Sequence, residues 1–139
     1  MIVGTLIFTL AIVSQRYKTN VIILRLGAGL LAVVFVTFLH AISYKGMNVF
    51  IGYDSNLPTQ LWIILSYIQS ISVLSIILFL NIKIKSRLFL VFYMFLAIAL
   101  TYLCFARIFP VCYIEGEGLT AFKKISEYII IAIYLISLA

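Results

Sequence analysis

The stretch TQLWIILSYIQSISVLSIILFLNI, residues 59–82, contains no charged side chain. A helix needs about twenty mostly apolar residues to cross the hydrocarbon core of a bilayer, and this run is long enough. Residues 21–43, 88–108 and 120–139 pass the same test. A further apolar run, residues 2–14, is short for a span unless it is preceded by more chain or tilts into a thin region. Helices are the expected form of all these runs, because a lone strand leaves its backbone polar groups unsatisfied in lipid. Pro58 precedes the 59–82 run and Pro110 follows the 88–108 run, so the spans are expected to be free of proline. The fold class is therefore an all-α integral membrane bundle of four to five transmembrane helices. Residues 1–139 form one membrane-embedded domain, and both its ends, lying in apolar sequence, are read as cut from a longer protein.

Composition supports the same class. Of the 139 residues 65% are hydrophobic and 10% charged, with a mean hydropathy of +1.26, whereas soluble globules carry about a quarter charged residues. The segment after Met1 has no charged leading region and runs into Ser14-Gln15-Arg16-Tyr17-Lys18 instead of a small-residue cleavage site, so it is not read as a removable signal peptide. The net charge of +6 comes from bases scattered between apolar runs; they suit membrane flanks, and no nucleic-acid partner is expected. There is no Ser-His-Asp set, H-E-x-x-H, P-loop or pair of intramembrane aspartates, so the chain is not read as an enzyme. Neither a cofactor nor a metal is expected.

Orientation follows from Lys and Arg in the short connections. Arg16 and Lys18, with Arg25 one turn inside, mark the first connection as cytoplasmic, and Lys83, Lys85 and Arg87 mark the third. The connections at 44–58 and 109–119 then face outside, and the last helix ends at the cytoplasm. Lys123 and Lys124 near the outer end oppose this assignment, and Glu127, one turn from Lys123, offsets them.

On that topology two polar stretches share the outer side: FLHAISYKGMNVF, residues 38–50, and FPVCYIEGEGLTAFKKISEY, residues 109–128. Ionisable groups at spans are costly and turn toward protein or water, so His40, Lys45, Arg107, Lys123 and Glu127 are expected to converge on one pocket. Tyr44, Trp62, Tyr67 and Tyr113 are available to line it, although for each aromatic taken singly interfacial anchoring is the favoured reading. Lysines and Arg107 can also snorkel to headgroups. Glu127 is too short for that, and pairing with Lys123 or Arg107 is expected. His40 suits a metal or a pH switch, but no second histidine exists, and a hydrogen-bonded helix-end role is the favoured reading. Cys104 and Cys112 are open to two readings, a disulfide across the bend at Pro110 or two unpaired small side chains. Gly116 and Gly118 permit a tight turn before Thr120 caps the final helix.

Three blocks, LHAISYKGM (residues 39–47), PTQLWI (58–63) and FPVCYIEGEGLTAFKKISEYII (109–130), together resemble the third type of bacterial membrane-associated sensor domain. The resemblance implies an input module of histidine kinases, diguanylate cyclases or related proteins in the bacterial cytoplasmic membrane. It also implies a last helix that leads to a cytoplasmic output domain in the same chain, and a homodimer. His40, Lys45, Gly46, Trp62, Cys112, Glu115, Gly118, Thr120, Lys123 and Glu127 match the family pattern. Thr37, Ser66, Val111 and Ala121 stand where an acidic residue, an arginine, an aspartate and a proline are usual. The signal-sensing candidates are thus His40, Tyr44, Lys45, Trp62, Arg107, Cys112, Glu115, Thr120, Lys123 and Glu127. The competing readings are a small stand-alone transporter or membrane-complex subunit, and a purely structural anchor.

Overall fold

The computed structural model describes residues 21–79 and 86–138. The apolar run 2–14 and the bases Arg16, Lys18, Lys83 and Lys85, used above to orient the chain, lie outside them. Four helices are present among the described residues: α1 (Val21–Ile42), α2 (Asn56–Leu78), α3 (Ser86–Phe105) and α4 (Ala121–Leu138). Each falls on an apolar run picked out by length and lack of charge. Three of them are long and apolar enough to cross a membrane, over Leu24–Ile42, Asn56–Leu78 and Arg87–Phe105. Helix α4 carries Lys123, Lys124 and Glu127 in its first two turns.

The boundaries differ where capping chemistry overrides hydropathy. Helix α2 begins ahead of its apolar run and takes Pro58 into its first turn, so the proline-free expectation does not hold for it. A first-turn residue has no helical acceptor for its N–H, so proline is tolerated there. Helix α3 stops short of residue 108. The N–H of Arg107 bonds the Cys104 carbonyl at 3.0 Å and that of Ile108 the Leu103 carbonyl at 3.0 Å, the paired bonds of a Schellman ending. Arg107 takes the left-handed position with φ 59, which glycine usually fills.

Helix α2 is central. It packs against α1 and α3, which also touch each other, and α4 lies chiefly against α2. Small residues let α1 approach closely: Ala28, Ala32 and Val36 are buried, and a Cβ on Gly29 would come within 2.4 Å of the Ser72 Cβ. Ser70, Ser72 and Ser75 return their hydroxyls to carbonyls three residues back, at 3.0, 2.8 and 2.8 Å, so these buried groups are satisfied within the helix. Tyr93 of α3 donates to Ser75 Oγ at 2.8 Å. At the far end buried Arg25 of α1 donates to the Phe79 carbonyl, just past α2, and lies 5.0 Å over the Phe89 ring.

At the other end the chain between α3 and α4 folds into a small hairpin, where a plain turn was read. Strand β1 (Tyr113–Ile114) pairs antiparallel with β2 (Gly118–Leu119), Tyr113 opposite Leu119. Gly116 and Gly118 have φ of 90 and 91, a conformation open to glycine at little cost.

Candidate functional site

The two polar stretches do meet, at the end of the bundle where α1 stops and α2 starts. Side chains of α2 hold the second stretch in place. Asn56 Oδ1 accepts the backbone N–H groups of Cys112 at 2.8 Å and Tyr113 at 3.0 Å. Gln60 Nε2 donates to the carbonyls of Phe109 and Pro110, both at 3.0 Å. From the first stretch, Lys45 pairs with Glu115 at 2.7 Å, and just beyond it the Tyr53 hydroxyl donates to the Phe105 carbonyl at 2.8 Å. Arg107 returns the connection: it donates to the Gly52 carbonyl at 2.9 Å, with its guanidinium 5.2 Å over the Tyr53 ring. The second loop is thereby fastened to α2, and the first to the end of α3 and to the second loop.

Between them lies a cavity of about 260 Å³, whose wall includes Asp54, Asn56, Gln60, Cys104, Arg107 and Phe109. Arg107 and Asp54 both line it and form no ion pair with each other. Gln60 is only 4% exposed; with both amide hydrogens used on the second loop, its oxygen has no partner among the described residues. Asp54 Oδ1 accepts the Asn56 N–H at 3.0 Å, which orders the start of α2. The cavity wall thus presents a cation, a carboxylate and a free amide oxygen, groups that bind and orient a polar ligand but include no activated nucleophile.

The candidates from sequence divide into separate groups instead of the single pocket expected of them. Of His40, Lys45, Arg107, Lys123 and Glu127, only Arg107 lines this cavity. The reason is the layering: His40 is on α1 and Lys123 and Glu127 on α4, with α2 packed against both helices. His40 Nδ1 lies 2.8 Å from the Pro58 carbonyl, with its ring 5.6 Å from Trp62. A carbonyl only accepts, so Nδ1 carries the proton. Tyr44 is exposed and lies against Gly46. The Lys45–Glu115 pair is exposed, and the carboxylate raises the Lys45 pKa through its hydrogen bond and charge.

Lys123 is buried and pairs with Glu127, its neighbour one turn on. Thr120 caps α4: its hydroxyl oxygen receives the Lys123 N–H at 3.3 Å and donates to the Val111 carbonyl at 2.7 Å. Cys112 is fully buried, and burial pushes its thiol up to about 11 against the opposing charge of Lys123. Cys104 and Cys112 are both free thiols. Among the described residues no three His, Cys, Asp or Glu side chains gather as metal ligands would.

Asn56 and Gln60 were missed by sequence reasoning, which looked for charge at span edges; Asp54 lies in the connection it assigned to the outer side but was not among its candidates. Their signal was the pair of amides four apart, Asn56 and Gln60, on either side of Pro58, where a helix start exposes side chains to an incoming loop.

The apolar helices, three of them long enough to cross a membrane, fit a membrane-embedded domain. No curated protein and no solved structure matches the chain. The family model for MASE3, described as a membrane-associated sensor domain, matches residues 1–139, and the chain belongs to that family.

Proposed function

We propose that this sensor domain is the input module of a bacterial signalling protein, in which an event at the loop end of the bundle moves α4 and so sets the activity of a cytoplasmic output domain. One observation supports this most: α4 is tied to the loop cluster through the Thr120 cap, whose hydroxyl reaches the Val111 carbonyl, yet packs chiefly on α2 alone. A helix held at one end and supported along one face can pivot as a unit. A stimulus must favour one of two helix arrangements over the other, since equal affinity shifts nothing. In this reading the protein sits in the cytoplasmic membrane with its 44–58 and 109–119 loops outside and the end of α4 inside. Two copies work as a dimer, and catalysis belongs to the output domain, a kinase or a cyclic-di-GMP enzyme.

The test is a fusion of the domain, through α4, to a cytoplasmic kinase or cyclase reporter in cells. Glu127→Gln removes the partner of buried Lys123 and should change reporter output at equal membrane insertion. Output that is the same for wild type, variant and a fusion lacking the domain, under every growth condition, would refute the reading.

A further inference from the structure

The cavity at the loop end does not stand alone. A second cavity of about 310 Å³, between Ile64, Ile71, Leu100 and Phe122, shares Phe109 with it. A third, of about 390 Å³, between Leu78, Phe79, Leu88 and Phe92, shares Ile71 with the second. Their α2 residues follow one another at Leu57, Gln60, Ile64, Ile68, Ile71 and Ser75, the three-and-four spacing of a single helix face. On α3 the facing residues run back as Cys104, Leu100, Leu96 and Phe92. A polar chamber therefore adjoins an apolar groove along the α2–α3 seam, with Phe109 in the wall of both. From Ile64 to Leu78 the groove runs about 21 Å at 1.5 Å per residue, longer than the roughly 15 Å of one leaflet's hydrocarbon.

We propose that the seam binds a single phospholipid whose headgroup joins a phosphate to a primary ammonium, the headgroup in the Arg107–Asp54 chamber and one acyl chain in the groove. The charges carry the choice. Arg107 and Asp54 line one chamber without pairing, which suits a dipolar group laid between them: phosphate on the guanidinium, ammonium on the carboxylate. The unpartnered oxygen of Gln60 accepts a further ammonium hydrogen, which a quaternary headgroup cannot donate. At about 260 Å³ the chamber is below the usual size of a site for a drug-sized molecule and takes a headgroup alone. This rests on the sensor reading, with headgroup occupancy as the event that α4 reports.

The test uses the delipidated full chain in detergent, titrated with phosphatidylethanolamine, phosphatidylglycerol, phosphatidylcholine and chain-free glycerophosphoethanolamine. Bound lipid is counted by native mass spectrometry, and the melting temperature is followed in parallel. Phosphatidylethanolamine should bind in a 1:1 ratio and at least about tenfold more tightly than the other three, the value of one charge-assisted hydrogen bond. Arg107→Gly, which suits the left-handed backbone and so keeps the fold, should weaken both phosphatidylethanolamine and phosphatidylglycerol about tenfold. Asp54→Asn, which keeps an oxygen for the Asn56 N–H, should weaken phosphatidylethanolamine alone. Equal binding of all three phospholipids, or an Asp54→Asn loss as large for phosphatidylglycerol as for phosphatidylethanolamine, overturns the headgroup assignment. Glycerophosphoethanolamine binding as tightly as the intact lipid overturns the lipid and points to a soluble solute. Binding is read without any output domain, so its failure leaves the signalling role standing. Lipid binding with no response in the reporter fusion defeats the sensor reading instead.

Discussion

Gln60 donates to the Phe109 carbonyl at 3.0 Å from the second turn of α2, and its other amide hydrogen reaches the Pro110 carbonyl at the same distance. One buried side chain thus fixes the path of the segment that leads to α4. Gln60→Leu strands two carbonyls and should destabilise the protein by about 2–3 kcal/mol, read as a fall in melting temperature in detergent. Gln60→Glu, which sets a carboxylate against those same carbonyls, should be worse. A melting temperature unchanged in both would show that the loop is held by other bonds.

Arg107 adopts φ 59 at the end of α3, where a Cβ is strained. Arg107→Ala keeps that strain and loses the Gly52 and Tyr53 contacts, whereas Arg107→Gly loses the same contacts and relieves the strain. The glycine variant should therefore be more stable than the alanine variant by about 1 kcal/mol, measured as the difference between their unfolding midpoints. The reverse order would mean that the left-handed ending is not retained.

These two residues mark how far the sequence was readable. The helices were legible because lipid imposes a length and forbids charge, and both constraints are written locally in runs such as 59–82. The meeting of the two polar stretches was also legible, since both end at helices bordering the same side. The chamber was not, because the spacing of Asn56 and Gln60 around Pro58 gains meaning only once α2 is seen to start three residues early with Pro58 inside it. The single cluster expected of His40, Lys123 and Glu127 failed for a related reason: nothing local in a sequence says that α2 packs between α1 and α4.

Cys112 should resist alkylation in the native protein. Burial keeps its thiol protonated up to about pH 11, so at pH 8 roughly one molecule in a thousand carries the thiolate that reacts. The folded state holds this proton more tightly than the unfolded chain, whose thiol value is 9.0. Its contribution to stability is therefore complete below about pH 9 and is lost as the pH rises toward 11. Peptide mass spectrometry after iodoacetamide should find Cys112 unmodified at pH 8 and modified after unfolding; rapid native labelling would contradict the burial.

Lys123 is 7% exposed while its partner Glu127 is more open. Removing the carboxylate with Glu127→Gln leaves a buried ammonium without compensation and should cost about 1–3 kcal/mol, reduced from the fully buried case by the solvent at Glu127. Lys123→Met removes the charge that needs a partner and should cost less. Unfolding midpoints of the two single variants and the double variant decide the order; a larger loss for Lys123→Met, which keeps an apolar stem of similar length, would show that α4 needs the ammonium itself and not merely a partner for it.

The measurement that tests the sensor account most directly is a spin-label distance across the far end of the bundle. Labels at exposed Leu78, the last residue of α2, and exposed Leu138, the last of α4, report the position of α4 on its support. Arg107→Gly alters the chamber at the opposite end without touching either label. The account predicts that this substitution shifts the distance distribution, because the loop cluster sets how α4 lies on α2. Superimposable distributions in the wild-type protein and the variant, with both reconstituted in lipid, would contradict it.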